Sequence, residues 1–423
     1  MKKHMYYALR CNVARHLTGE SYRLFSLRLA DSPLLQWFTH TPSFEGVRPP
    51  SKSRLERYDK IFDVEDVQSA IRGLLGTVFQ AQGAETLLGR EEAVSVRNIF
   101  ADCTCVKANI HFPVDWVLLR DAARTLIAAI RLIRAQGLKH RMPEPAGLLK
   151  EMNRLCLRMT HSRRRPDSRA FRKAALREMK KLARVMESHA TRYRDLLMKN
   201  WPQTDWSEAE TQLVLDRMQR VLSQLPAAIR QAHERIIGER PVANADKILS
   251  LYEEHVHVLV RGKAGAEVEF GNGLFLAEQE DGLIVDWAFF KDQPKADSTL
   301  VKASLCRITQ QYGPIGAYCT DRGFDSRANA DLLEAEQVFN AICPKNPERL
   351  KEQTEEPRFM KLQTRRGQTE ARIAIFKNAF LGRPMRSKGF GHRHNTVAWC
   401  VLTHNLWVLA RMAEVQEEQR KAA

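Results

Sequence analysis

The sequence lacks any apolar run of the roughly 18 residues that a membrane-spanning helix needs. Its first residues, MKKHMYYALRC, are basic, but the apolar segment of a secretory signal does not follow them. These two absences predict a cytoplasmic protein without a membrane partner.

Paired cysteines are also lacking. The chain has eight cysteines, and no two of them form a C-x-x-C pair. Cys103 and Cys105 alternate along a predicted strand, but no second pair of metal ligands accompanies them. A zinc-binding module and a disulfide framework are therefore both disfavoured, and free thiols in a reducing compartment are expected.

Acidic residues are too few to balance the basic ones. The chain has 67 Lys and Arg residues against 50 Asp and Glu residues, which gives a net charge of +17 and a pI near 9.7. Such an excess favours a polyanionic partner, either nucleic acid or an anionic membrane surface. A basic protein without such a partner is the alternative, and the composition favours nucleic acid.

The first 92 residues have a helical pattern, interrupted at Pro49 and Pro50. A serine at 51 or 53 then predicts the start of a new helix. Apolar residues recur on one face of this helix, and basic residues occupy the opposite face. That basic face is either a DNA contact or a solvated surface, and its DNA-binding candidates are Lys52, Arg54 and Arg57.

A strand and a long helical region come next. Residues 96–107 have few helix formers and predict a strand that contains Asp102, a carboxylate that is costly to bury unless it is paired or binds a metal. Residues 115–248 are helical in composition and most basic over 161–184. Arginines in a loop suit phosphate binding, and a solvated patch is the alternative. The candidates are Arg163, Arg164, Arg165, Arg169, Arg172 and Lys173.

The last third alternates between strands and helices. Asp281-Gly282 predicts a hairpin turn, and a later strand ends at Asp321. The predicted order is two hairpin strands within 266–290, a helix over 297–311, the strand into Asp321, a helix over 326–336, a strand over 338–345, a helix from about 368, and a buried helix over 396–412.

Together with the strand at 96–107, this order matches an RNase H-like core, in which a meander precedes alternating helices and strands. The predicted fold class is therefore α/β, with a mixed sheet flanked by helices. A large helical insertion separates the first and second core strands. The predicted domains are residues 1–92, an N-terminal helical DNA-binding domain; residues 93–114 and 249–415, the catalytic domain; and residues 115–248, the helical insertion.

Three charged residues share one face of the helix predicted from about 368. Arg366, Glu370 and Lys377 are spaced by four and seven, so they lie within about 40° of each other around a helix. Ile373 joins this face, which should therefore pack inward while it carries one acid and two bases. Gly367 leaves open whether Arg366 precedes the first turn.

These elements resemble the insertion-sequence transposases of the DDE type. In that family the first Asp lies on the opening core strand, the second follows the fourth strand, and the Glu lies on a late helix within a Tyr-x2-Arg-x3-Glu-x6-Lys signature. The resemblance implies that Asp102, Asp321 and Glu370 form a catalytic and metal-binding triad, with Arg366 and Lys377 as DNA-binding residues. Gln363 stands at the family's Tyr position, which is a departure from the signature.

The resemblance also implies a chemistry. Two Mg²⁺ ions, or Mn²⁺ in their place, would be held by the three carboxylates and would promote in-line attack on a phosphodiester. Such an enzyme cuts the ends of its element and joins the freed 3′-OH to target DNA. No covalent intermediate is needed, which agrees with the lack of a convincing nucleophilic Ser, Tyr or Cys arrangement in the sequence.

Partners and alternatives follow from the same resemblance. The expected partners are double-stranded DNA, as element ends and as target, and a second copy of the chain in a homodimer. The expected location is the prokaryotic cytoplasm, at the nucleoid when bound to DNA. A structure-selective RNase H-like nuclease and a DNA-binding descendant with a decayed site are the alternative functions.

Overall fold

The structure of the chain is a computed structural model. It describes residues 2–41, 46, 48–162, 166–263, 266–293, 296–382 and 385–422. The fold is mixed α/β, with a sheet flanked by helices. The predicted α/β class is confirmed at this level. None of the helices within the described ranges is both long and apolar enough to cross a membrane.

The described residues form a mixed sheet of six strands. Its order is β2-β3-β1-β5-β6, and β4 pairs with β3. β1, β5 and β6 are parallel, whereas β3 is antiparallel to both β2 and β4. The strands are β1 (Asn98–Lys107), β2 (His257–Lys263), β3 (Ala266–Glu278), β4 (Ile284–Phe289), β5 (Ala317–Thr320) and β6 (Phe339–Ile342).

The chain divides into two compact units. The first contains residues 1–109 and 272–423, and the second contains residues 110–271. The helices of the first unit are α1 (Lys2–Thr18), α2 (Tyr22–Asp31), α3 (Pro33–Thr39), α4 (Lys52–Asp59), α5 (Val64–Val78), α6 (Ala81–Leu88), α11 (Val301–Tyr312), α12 (Arg327–Ala335), α13 (Pro347–Thr354), α14 (Pro357–Ile375) and α15 (Phe390–Ala422).

The second unit is mainly a helical bundle. It contains α7 (Asp115–Ala135), α8 (Pro145–His161), α9 (Ser168–Asn200) and α10 (Glu208–Ala232). The apolar stripes of these helices face one another and form their own core, which includes Leu119, Met179 and Leu225. Ser207 begins α10 with a capping box that it forms with Glu210.

The hairpin and the central strands have clear local causes. Gly282 has a φ of 99°, which a glycine adopts without strain, and it reverses the chain between β3 and β4. All four residues of β5 are buried, as expected for a strand with a parallel neighbour on each side. The predicted hairpin and the predicted strands at Asp102 and before Asp321 are therefore present.

A buried carboxylate links the N-terminal helices to the last helix. Asp59, at the end of α4, accepts hydrogen bonds from Arg15 at 2.8 Å and from the Tyr22 hydroxyl at 2.8 Å. His392 of α15 lies 3.2 Å from the same carboxylate. These contacts fix α1 and α4 against the core of the first unit, so the structure joins residues 1–92 to the sheet in one unit.

One predicted boundary was wrong. The sequence predicts a helix from about residue 368, but α14 begins at Pro357. Gly367 therefore lies inside the helix, where it costs about 1 kcal/mol relative to alanine. Thr369 and Arg365, on either side of it, bond to β3 and offset that cost. Arg366 accordingly lies within the helix and does not precede it.

Candidate functional site

Asp102 and Asp321 lie on neighbouring parallel strands. The register pairs Asn98 with Ala317 and Phe100 with Cys319. Continuing this register by two residues brings Asp102 opposite Asp321, the first residue after β5. Both side chains are half-buried. The sheet thus brings together the two aspartates that the sequence singles out.

The turn after β5 is held by Asp321 itself. Its Oδ1 accepts the N–H of Gly323 at 2.8 Å and so begins a short 3₁₀ helix, Arg322–Phe324. A Cβ at Gly323 would lie 3.0 Å from this oxygen and 3.3 Å from Oδ2 of Asp297. The glycine therefore lets the backbone approach two carboxylates closely. The same bond also gives Asp321 a purely local role as a turn residue.

Asp297 is a fourth carboxylate at this edge, and the sequence did not indicate it. It begins a 3₁₀ turn, Asp297–Thr299, and hydrogen-bonds the thiol of Cys103. Burial, followed by the charge of Asp297, raises the pKa of Cys103. In the sequence Asp297 falls at the start of a predicted helix, where an acidic residue has an ordinary capping role. Only the folded chain brings it near Asp321.

Asp102 is the perturbed carboxylate of this cluster. Burial, then the charge of Asp321 and to a smaller extent that of Glu370, raises the pKa of Asp102 to about 6. The N–H of Cys103 and the guanidinium of Arg366 act in the opposite direction. Glu370 is therefore close enough to Asp102 for its charge to be felt there. The site is an acidic cluster with Arg366 as a nearby cation.

Arg366 and Glu370 lie one turn apart on α14. The guanidinium of Arg366 is 3.6 Å from the Glu370 carboxylate and donates a 3.0 Å hydrogen bond to Gln363. The side chain of Glu370 is 62% exposed, whereas that of Arg366 is 19% exposed. The carboxylate of Glu370 is therefore largely open to solvent.

Gln363 has a structural role that the sequence left undefined. Its amide donates to the carbonyl of Thr320 at 3.1 Å and to that of Ala341 at 2.6 Å. Thr320 immediately precedes Asp321, and Ala341 lies on β6. Gln363 therefore ties α14 to the ends of two strands and helps to fix the position of Asp321.

Lys377 reaches the same strand as Asp102. It lies in a π-helical turn, Phe376–Leu381, that continues α14, and its Nζ donates to the Thr104 hydroxyl at 3.0 Å. Thr104 is buried and follows Asp102 by two residues, so the two point to the same face of β1. The face predicted from the Arg366, Glu370 and Lys377 spacing thus lies toward β1.

A preformed metal cage is not seen. In the part of the chain that the structure describes, no three His, Cys, Asp or Glu side chains are grouped so that they could hold an ion. The donor types nevertheless suit a hard divalent cation, because such ions prefer carboxylate oxygens and retain water ligands. Metal binding by Asp102, Asp321 and Glu370 remains a prediction.

The basic residues predicted to bind DNA fall in three places. Arg163, Arg164 and Arg165 lie outside the described residues. On α9, Arg169 and Lys173 both pair with Glu239, the lysine at 2.8 Å, and Arg172 donates to the carbonyl of Ser168. Lys52, Arg54 and Arg57 form the exposed face of α4, opposite the buried Leu55 and Tyr58.

Comparisons of the chain with protein-family models, with curated proteins and with solved structures gave no match. The arrangement of Asp102, Asp321, Glu370 and their basic neighbours is therefore the basis for assigning a function.

Proposed function

We propose that the chain is a DNA transposase of the DDE type. One observation carries the proposal: parallel pairing of β1 and β5 sets Asp102 beside Asp321, and the charge of Glu370 acts on the same site. Strand order supports it, since the β3–β4 hairpin neighbours β1 and parallel strands separated by helices follow. An RNase H-like core is part of this proposal.

Asp102, Asp321 and Glu370 would together hold two divalent ions. Such ions supply an activated water and stabilise a leaving oxyanion. Burial, and then the charges of Asp321 and Glu370, raise the pKa of Asp102, so part of the shift is repulsion that bound cations would relieve. Asp297 lies beside the Gly323 turn and hydrogen-bonds Cys103, the residue that follows Asp102.

The basic residues would bind the DNA backbone. Lys377 donates to Thr104 and Arg366 lies 3.6 Å from Glu370, so both cations flank the carboxylates. They would hold phosphates on either side of the cleaved bond. Water attacks phosphorus, a phosphorus–oxygen bond forms, and the 3′ oxygen leaves as a hydroxyl. That 3′-OH then attacks a phosphodiester of the target in the same way.

The test uses the purified full chain, a labelled duplex taken from the DNA that flanks its own gene, and a supercoiled target plasmid. With Mg²⁺ we expect nicks at the element end and labelled DNA joined to the plasmid. Nicking without joining would favour a structure-selective nuclease, and binding without nicking would favour a descendant with a decayed site. Either outcome would overturn the transposase proposal.

The same reaction tests the expected partners. Joining two ends requires that a complex hold both, so a duplex end should bring two copies of the chain together. Light scattering of the protein with and without the duplex measures this mass. A complex with one copy per end and no pairing would contradict the homodimer.

A further inference from the structure

The N-terminal helices enclose a groove that the proposed catalytic site does not use. It has a volume of about 1530 Å³ and is lined by parts of α1 and α4 and by Thr39, His40, Gly46 and Arg48. This volume exceeds the roughly 300–1,000 Å³ of a typical small-molecule site. An extended polymer suits it better than a metabolite does.

The described residues that line the groove are rich in basic side chains. In the described part of the chain its lining contains five Lys and Arg residues and no Asp or Glu. None of the five forms an ion pair with another residue that the structure describes, and Arg54 and Arg57 are exposed. The five residues are Lys3, Arg10, Arg48, Arg54 and Arg57. Arg10 donates to the carbonyl of Phe38 at 2.8 Å, whereas the exposed guanidinium groups of Arg54 and Arg57 can meet a polyanion.

Aromatic rings line the same groove. The ring of Tyr58 is buried. Its centroid lies 5.2 Å from that of the His4 ring and 5.8 Å from that of the Tyr7 ring, both edge to face. Tyr6 is 64% exposed, so its ring is open to a partner. Tyr7 is held by a 3.2 Å hydrogen bond to Thr41. The groove thus presents a fixed cluster of rings and one open ring between cations.

Unpaired nucleic acid matches both features. Its phosphates meet the cations, and its exposed bases stack on aromatic rings, a combination that is typical of single-strand binding. A duplex keeps its bases stacked inside, so its phosphates would contact the cations but no base would stack on Tyr6. An acidic peptide would use the charges only.

We propose that this groove binds single-stranded DNA, with a base stacked on Tyr6 and phosphates on Arg54 and Arg57. The proposal rests on the proposed function, because it names the form of DNA that the N-terminal helices would hold: an unpaired strand at an opened element end. It adds a second binding site to the carboxylate site and assigns Tyr6 a role.

The test measures the binding of a fluorescent oligo(dT) of about 12 nucleotides to the full chain with EDTA present. Tyr6→Ala should weaken binding by about 5- to 100-fold, the loss expected for one stacked base, without changing the salt dependence. Tyr6→Phe should bind like the parent. Arg57→Ala should lower the slope of log affinity against log salt by about 0.7.

Matched variants make the result specific. Trp37→Ala removes another exposed ring of the N-terminal helices that does not line the groove, and Arg23→Ala removes an exposed cation outside it. Both should bind like the parent. Photo-crosslinking of oligo(dT) carrying a photoreactive thymine should label the peptide that contains Tyr6.

Three results would overturn the proposal: Tyr6→Ala binding as tightly as the parent, Trp37→Ala losing as much affinity, or a duplex, oligo(U) or polyglutamate competing better than oligo(dT). Since EDTA prevents metal-dependent cleavage, these results are independent of nicking. Loss of nicking with oligo(dT) binding intact would overturn only the transposase chemistry. Loss of oligo(dT) binding with nicking intact would overturn only the single-strand role of the groove.

Discussion

The hydroxyl of Thr369 donates a 2.8 Å hydrogen bond to the buried carboxylate of Glu278. Arg365 and Arg372 lie 3.2 Å and 3.6 Å from that carboxylate. Glu278 ends β3, and the three partners lie on α14. Because Glu370 follows Thr369 directly, this network fixes the part of the helix that carries the proposed third catalytic residue.

Replacing Glu278 by Gln should destabilise the protein by about 3–5 kcal/mol, since two partly buried guanidinium groups would lose their shared counter-charge. Thr369→Val should cost about 1 kcal/mol, the usual value of one hydrogen bond. Urea unfolding measures both. Thr364→Val, on the exposed side of the same helix, is the control and should change stability little. Equal effects of the two threonine variants would contradict the network.

Acid should destabilise the fold through buried histidines. Burial lowers the pKa of His404 to about 4, and its ring packs against Phe376 and Phe380. The unfolded chain has a histidine pKa of about 6.5, so between about pH 6.5 and 4 it binds a proton that the folded chain excludes. Stability from this group is complete above about pH 6.5 and falls as the pH drops toward 4, by at most about 3 kcal/mol.

His404→Leu should therefore reduce the loss of stability between about pH 7 and about pH 5. Thermal unfolding at the two pH values measures that difference. His111→Gln, at an exposed position, should behave like the parent. A variant at 404 with the full acid sensitivity of the parent would show that another group causes it; His16, whose pKa burial also lowers to about 4, would be the next candidate.

Lys377 should act on the positioning of DNA more than on chemistry. Lys377→Met keeps a long unbranched side chain but removes the cation that donates to Thr104. We expect weaker binding of the element end, with a smaller loss in the nicking rate once the enzyme is saturated. Lys302→Met, an exposed lysine of α11, is the control. A nicking defect at saturation as large as that of Glu370→Gln would contradict this division.

Glu239 should limit DNA binding by the helical bundle. It pairs with both Arg169 and Lys173, so Glu239→Gln should free two cations. Binding of duplex DNA should tighten, and the salt slope should steepen by roughly one to two units. Glu187→Gln, on the same helix as Arg169, is the matched control. If both variants bind like the parent, these basic residues are a solvated surface.

The sequence predicted what local rules determine. Alternation and turn residues placed β1 with Asp102, the Gly282 hairpin and the end of β5 at Asp321 correctly. The start of α14 was wrong because Gly367 normally disfavours a helix, whereas contacts with Glu278, 91 residues before Thr369, hold it. Asp297 was missed as a site residue, and the role of Gln363 was left undefined, because their partners are distant in sequence.

Glu370 should act on the chemical step and not on DNA binding. Glu370→Gln keeps the size of the side chain but removes the charge that acts on Asp102. The decisive measurement compares element-end binding and Mg²⁺-dependent nicking in one preparation, with Glu334→Gln of α12 as the exposed control. We predict unchanged or tighter binding and nicking reduced by at least about 10²–10³-fold. Nicking at the parent rate would show that Glu370 is not part of the site.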